Sequence, residues 1–366
     1  MWIRALIGTV IGGILVTGAV APGRALPANQ PRPTPAKAGS TADSIEAINA
    51  DFEKGFQQLE RARLSRLANL AASLPVEKAN AVYEDLFQNA VASGIYTDAE
   101  PIAERVLQAR TFSPEVTWLA TFVNLMAEAK RGAYDESLKS VVAAIQANEK
   151  ARAENPEAQA AFALPETMRA QLIDAYYQIL VQADQFGTAH QAMEMIQRGT
   201  NSELIRNMVT NRLRQLDLIG KPAPPIVGAD LDGKPFDLAA YKGDVVLVSF
   251  FATWSMPSAQ ELEWFESVYD QLQNKGFRVV SIDVDAMREG GASESDVREM
   301  ARRFALEYNI HWPILMNQAG TNYAAAYGVS EIPSNVLIGR DGKVAHLDLK
   351  RSNLETKVQA ELAKPR

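Results

Sequence analysis

The stretch Val245-Val246-Leu247-Val248-Ser249-Phe250-Phe251-Ala252-Thr253-Trp254-Ser255-Met256-Pro257-Ser258 decides the fold. Four consecutive apolar residues, Val245 to Val248, predict a strand buried on both faces, as in a parallel or mixed sheet. Phe250 to Trp254 carries the chain out of that strand, and Ser255 to Ser258 opens a helix with the apolar stripe Leu262, Phe265, Val268, Tyr269 and Leu272. Ser258-Ala259-Gln260-Glu261 has the capping-box pattern, with the serine as N-cap and the glutamate reaching back. Ser255 is the alternative cap, because Pro257 fits an early helical position.

Further motifs follow in order. Gly220 to Pro224 and Leu231 to Leu238 predict an opening hairpin, and Tyr241-Lys242-Gly243-Asp244 leads into the strand. Gly276 to Val284 predicts the next strand. After a polar insert, Met287 to Ser295, come a helix and then His311-Trp312-Pro313-Ile314-Leu315. Tyr327 to Ser334 forms a loop around Ile332-Pro333. Val336 to Ile338 and Val344 to Leu347, joined by Arg340-Asp341-Gly342-Lys343, predict a closing hairpin. From about Ile219 to the end, these motifs resemble the TlpA-like and ResA-like extracytoplasmic thioredoxins. The expected class is an α/β thioredoxin-like fold over 219–366. The resemblance implies a Trp-Cys-x-x-Cys turn, and here its two sulfur positions are Ser255 and Ser258.

The chain contains no cysteine at all. Thiol-disulfide exchange requires an attacking thiolate and a sulfur leaving group. Ser255 and Ser258 are therefore vestigial positions, and no catalytic residue is expected. Ser249 stands where thioredoxins carry a buried aspartate. A serine nucleophile would need a base, and the histidines are His190, His311 and His346, with no Gly-x-Ser-x-Gly elbow. No zinc, EF-hand or phosphate-loop spacing is present, so neither cofactor nor metal is expected. The resemblance also implies a peptide-binding cleft. Its residues would be Trp254 and Met256 at the turn, with Ile332 pairing its backbone to an extended peptide beside a cis Pro333.

Ahead of this lie three further segments. Met1 to Arg4 and the uncharged run Ala5 to Ala21 predict an export signal or short anchor over 1–25. That segment would engage the inner membrane if uncleaved and place the remainder outside it, in the periplasm or cell envelope. Residues 26–40, with Pro27, Pro31, Pro33 and Pro35, predict an extended linker. The net charge of -7 argues against a nucleic-acid partner.

Residues 41–218 predict an all-α domain. Ile45, Ile48, Phe52, Phe56, Leu59, Leu67, Leu70 and Leu74 predict one long amphipathic helix ending near Pro75. Gly94-Ile95-Tyr96-Thr97-Asp98 and Gly132-Ala133-Tyr134-Asp135-Glu136 recur thirty-eight residues apart, with a third turn expected at Gly187 and an insertion over Asn148 to Leu164. This resembles tetratricopeptide repeats, whose stacked pairs present a protein-binding surface. The functional expectation is a non-catalytic peptide- or protein-binding or scaffolding protein. The alternative, by family resemblance, is a thiol-disulfide oxidoreductase or peroxidase-type enzyme.

Overall fold

The computed structural model describes residues 45–154, 165–287, 294–318 and 320–365. The expected export segment 1–25 and linker 26–40 lie outside them. Among the described residues, no helix is long and apolar enough to cross a membrane. The chain divides into two compact units, 1–127 and 128–366.

The first unit is helical: α1 (Ile45–Ala72), α2 (Val76–Ala92), α3 (Tyr96–Ala109) and most of α4 (Pro114–Lys130). Leu64, Leu86, Phe87, Val106, Leu119 and Val123 are buried in it. Ser113 caps α4 by accepting from the Val116 amide at 3.3 Å, with Pro114 as the first helical residue, as the sequence predicts. The long helix expected to end near Pro75 is α1, which ends at Ala72. Leu64 and Ala71 are buried, whereas Ile48, Phe52, Leu59 and Leu70 are exposed. The three- and four-residue spacing marked an apolar line on the helix without saying which line meets a neighbour.

The second unit begins with α5 (Tyr134–Glu154), α6 (Glu166–Gln182), α7 (Phe186–Gly199) and α8 (Glu203–Leu216). Three helix pairs share one turn geometry. Gly94, Gly132 and Asp184 have φ of 66°, 85° and 56°. In each turn the next amide reaches back five residues: Ile95 to Ala90, Ala133 to Glu128 and Gln185 to Leu180. These are Schellman closures around a left-handed residue. The third turn therefore lies at Asp184, and Gly187, where the sequence predicts it, sits inside α7. Aspartate tolerates the left-handed conformation, so glycine was the wrong marker there.

The remaining elements are β1 (Val227–Ala229), β2 (Pro235–Asp237), β3 (Val245–Phe251), α9 (Met256–Leu272), β4 (Phe277–Asp283), α10 (Glu294–Glu307), β5 (Ile314–Met316), α11 (Tyr323–Ala326), β6 (Ser334–Ile338), β7 (Val344–Leu347) and α12 (Leu354–Leu362). β1 and β2 form the opening hairpin. The main sheet has the order β5-β4-β3-β6-β7. β3 runs parallel to β4 and antiparallel to β6. Right-handed crossovers through α9 and α10 place both helices on one face. There Leu247, Phe251 and Val279 pack with Leu262, Phe265, Val297, Phe304 and Val358. All seven residues of β3 are buried, as its apolar run predicts, and Phe250 on the opposite face meets Tyr327 with ring centroids 5.4 Å apart. This topology, with α9 springing from the end of β3, is a thioredoxin-like fold.

Candidate functional site

β3 leaves the sheet at Phe251 and β6 enters it at Ser334, with Phe250 paired to Ser334. The turn 252–258 and the loop 328–333 therefore share one end of the sheet, the end where crevices form in open α/β folds.

Ser255 is the N-cap of α9, and its Oγ accepts from the Ser258 amide at 3.3 Å. The capping-box reading of Ser258 is thus corrected in favour of the alternative. The helix starts three residues earlier, because Pro257 sits in the first turn without needing an amide donor. Ser258 then points inward, and Glu261, the supposed reach-back acid, is buried as well.

Below the turn lies a polar floor. Ser249 and Asn335 are register partners on β3 and β6, so they face the same side. The Asn335 Nδ2 donates to Glu261 Oε1 at 3.2 Å and to the Leu349 carbonyl at 3.0 Å. Among the described residues, Ser249 Oγ, Ser258 Oγ and Glu261 Oε2 have no hydrogen-bond partner. Burial pushes the Glu261 carboxyl up to about 8; Asp348 adds to this, while Lys350 and the Asn335 bond oppose it. A second acid pair supports the turn from β4. Asp283 Oδ1 accepts from the Asp285 amide at 2.7 Å, and Asp285 accepts from the Thr253 amide at 2.9 Å. Burial, reinforced by the Asp285 charge, pushes Asp283 up to about 7.

The rim has a different character. Trp254 is 56% exposed and Met256 66% exposed. Ile332-Pro333 is cis, the arrangement the resemblance implies. Among the described residues, the backbone groups of Ile332 and the amides of Ser330 and Glu331 have no backbone partner. None of the histidines serves the serines. His190 lies 3.4 Å from Asp217, and His346 sits between Asp184 at 2.9 Å and Glu361 at 3.3 Å. His311 is exposed before β5.

The 328–334 loop is backed by α8, a connection that the sequence did not reveal. Arg212, 8% exposed, pairs with Asp174 at 2.6 Å, Glu331 at 3.2 Å and Asp348 at 3.3 Å. Its guanidinium also lies 4.8 Å from the Tyr177 ring centroid. Burial lowers the Arg212 pKa, but the surrounding carboxylates outweigh that and the net direction is upward. Gln215 donates to Ser334 Oγ at 3.2 Å, and Ser334 donates to Asp348 at 2.8 Å. Gly328, at φ 68°, has no room for a side chain, since a Cβ would stand 3.0 Å from both Arg214 Cβ and the Gln215 nitrogen. Among the described residues, no group of three or more metal-ligating side chains occurs.

Residues 219–347 match the AhpC/TSA family. The chain is 32% identical over 126 residues to the thiol-disulfide oxidoreductase ResA of Bacillus thuringiensis subsp. konkukian, covering 34% of this chain and 66% of that protein. It is 30% identical over 126 residues to ResA of Geobacillus thermodenitrificans, with the same coverage. The chain thus spans just under two thirds of the length of these relatives. Among solved structures, a putative thiol:disulfide interchange protein DsbE from Chlorobium tepidum is 25% identical with a TM-score of 0.35, covering 40% of this chain and 98% of that one. The C-terminal part is therefore similar to redoxin-type, thioredoxin-fold thiol-disulfide oxidoreductases, and it lacks the sulfur from which they take that description.

Proposed function

We propose that this chain is a non-catalytic binding protein of the cell envelope whose thioredoxin-like cleft holds an extended peptide or protein segment. The observation that carries this reading is the contrast at one site. Among the described residues, the Ser330, Glu331 and Ile332 amides have no backbone partner and lie in the loop before Pro333, Trp254 and Met256 are exposed, and the redox positions hold serine. Backbone pairing along an extended segment gives sequence-tolerant affinity and uses no thiol. An exposed aromatic next to it supplies the apolar contact on which such sites depend.

The helical pairs, read as tetratricopeptide-like, add a second surface for protein partners. The N-terminal segment carries the protein out of the cytoplasm, as a signal or as an anchor. Enzymatic thiol exchange is not favoured, because no sulfur is available at any cysteine position of the chain.

Two assays test the reading. Dithiothreitol should reduce the disulfides of insulin no faster with the purified full chain than without it, and catalysed reduction would overturn the non-catalytic assignment. Ser255→Cys with Ser258→Cys should yield a dithiol that closes to a disulfide, since Ser255 already occupies the N-cap of α9 and Ser258 its first turn. A double variant that stays reduced under mild oxidant would show that the turn no longer holds these positions at bonding distance.

A further inference from the structure

The loop that the binding reading uses is not held by its own backbone. Among the described residues, the amides of Ser330, Glu331 and Ile332 have no backbone partner. A loop with so few main-chain ties does little by itself to keep those amides aimed at a ligand. What holds it is α8, a helix that precedes the segment 219–347 matching the family. At the near end, Gly328 lies against the α8 backbone, where a Cβ would stand 3.0 Å from the Gln215 nitrogen and 3.2 Å from the Asn211 carbonyl oxygen. At the far end, the buried Gln215 donates through Nε2 to Ser334 Oγ at 3.2 Å. Between them, Arg212 Nη2 donates to Glu331 Oε2 at 3.2 Å, one residue before Ile332.

The aim of that middle bond is fixed from behind. Arg212 Nε donates to Asp174 Oδ1 on α6 at 2.9 Å, and Nη1 donates to Gln215 Oε1 at 3.0 Å and to Asp348 Oδ2 at 3.3 Å. With every nitrogen engaged, the planar guanidinium has one orientation, and in it Nη2 points at Glu331. The Glu331 side chain is more than half exposed, so its pair with Arg212 contributes little to overall stability. Its effect is local and falls on where the loop stands.

We propose that Arg212 is a positioning residue of the peptide-binding cleft: through Glu331 it presets the Ser330 to Ile332 backbone for an extended segment, which makes α8 part of the site. This rests on the peptide-binding reading of the cleft. Presetting a loop raises affinity by removing the cost of ordering it at the moment of binding. A loop that is competent about one tenth of the time binds about tenfold more weakly.

The test uses the full chain and S-carboxymethylated insulin B chain. Arg212→Lys keeps the charge but not the fork, and Glu331→Ala removes the carboxylate that the fork holds. Each variant should weaken binding roughly tenfold. The double variant should bind no more weakly than Arg212→Lys alone, because both changes cut one contact. In the free variants, amide relaxation by NMR should show Glu331 and Ile332 more mobile than in the wild type, with Trp254 unchanged. Glu331→Ala leaves the pairs of Arg212 with Asp174 and Asp348 in place, so it decides the matter should Arg212→Lys fail to fold. Wild-type affinity in Glu331→Ala, or additive losses in the double variant, would overturn the positioning role alone. A wild-type chain that binds no peptide would overturn the binding reading and this role with it.

Discussion

The exposed residues around the start of α9 and the buried polar residues beneath them are close neighbours in the fold, yet they have different fates. The floor residues Ser249, Ser258 and Glu261 are buried, and each has a polar atom without a partner among the described residues. The rim residues Trp254 and Met256 are exposed, and among the described residues the neighbouring Ser330, Glu331 and Ile332 amides have no backbone partner. Recognition by this fold depends on shape, apolar contact and backbone pairing, whereas redox chemistry depends on sulfur and a proton store. Serine at both sulfur positions removes the second requirement and leaves the first untouched. The two jobs are physically separable, and the proposed function assigns to this chain the one that needs no special atoms.

The largest expected effect concerns what holds the rim in place. Arg212→Met leaves Asp174, Asp348 and Glu331 facing one another without their cation, and removing one partner of a buried ionic cluster costs about 3–5 kcal/mol. Urea unfolding should register that loss. Glu331→Gln removes only the exposed member and should cost under about 1 kcal/mol. Equal effects from the two variants would break the view that α8 anchors the loop through buried charge.

The next effect belongs to the floor. The folded-state pKa of Glu261, about 8, lies above its ordinary value of 4.5. Between these values the folded chain binds a proton that the unfolded chain has released, so stability falls as pH rises from about 4.5 to about 8 and levels off above that. Asp283, raised from 3.8 to about 7, adds a fall of the same sign over a lower window. Glu261→Gln should remove most of the upper part of this slope, a change of the order of a few kcal/mol near pH 8. Thermal unfolding measured across pH would show it. A wild-type stability that rises with pH across that window would contradict a neutral buried Glu261.

A smaller effect is expected at the rim itself. Trp254→Ala should weaken binding of an extended peptide roughly tenfold or more, the range for loss of an exposed aromatic anchor. Its effect on unfolding should be slight, because more than half of the side chain is already solvated. Loss of stability without loss of binding would make Trp254 a packing residue.

Much of this was legible in the sequence, for identifiable reasons. The run Val245 to Val248 and the stripe Leu262, Phe265, Val268, Tyr269 and Leu272 carry their burial in local periodicity, and all are buried except Tyr269, which is half-buried against the core. The Ile332-Pro333 loop was marked by its resemblance to a known family, and the bond is cis. The start of α9 was ambiguous because two serines fitted the same capping rules, and only the backbone resolves which one caps. Glu261 was misread for the same reason, since a local pattern suggested a capping role, and with Ser255 as the N-cap it is buried instead. Arg212 could not have been found by inspection. Its partners Asp174, Glu331 and Asp348 are 38, 119 and 136 residues away, and nothing in the local pattern of α8 singles it out. Asp184 was missed because a left-handed turn was sought at glycine.

The most direct test of the central claim is an NMR titration of the isotopically labelled full chain with S-carboxymethylated insulin B chain, an extended peptide whose thiols are blocked. The account predicts saturable shifts of the Ser330, Glu331 and Ile332 amides and of the Trp254 indole, without any covalent adduct. No shift at these positions at saturating peptide, or shifts confined to the helical segment before Ile219, would contradict it.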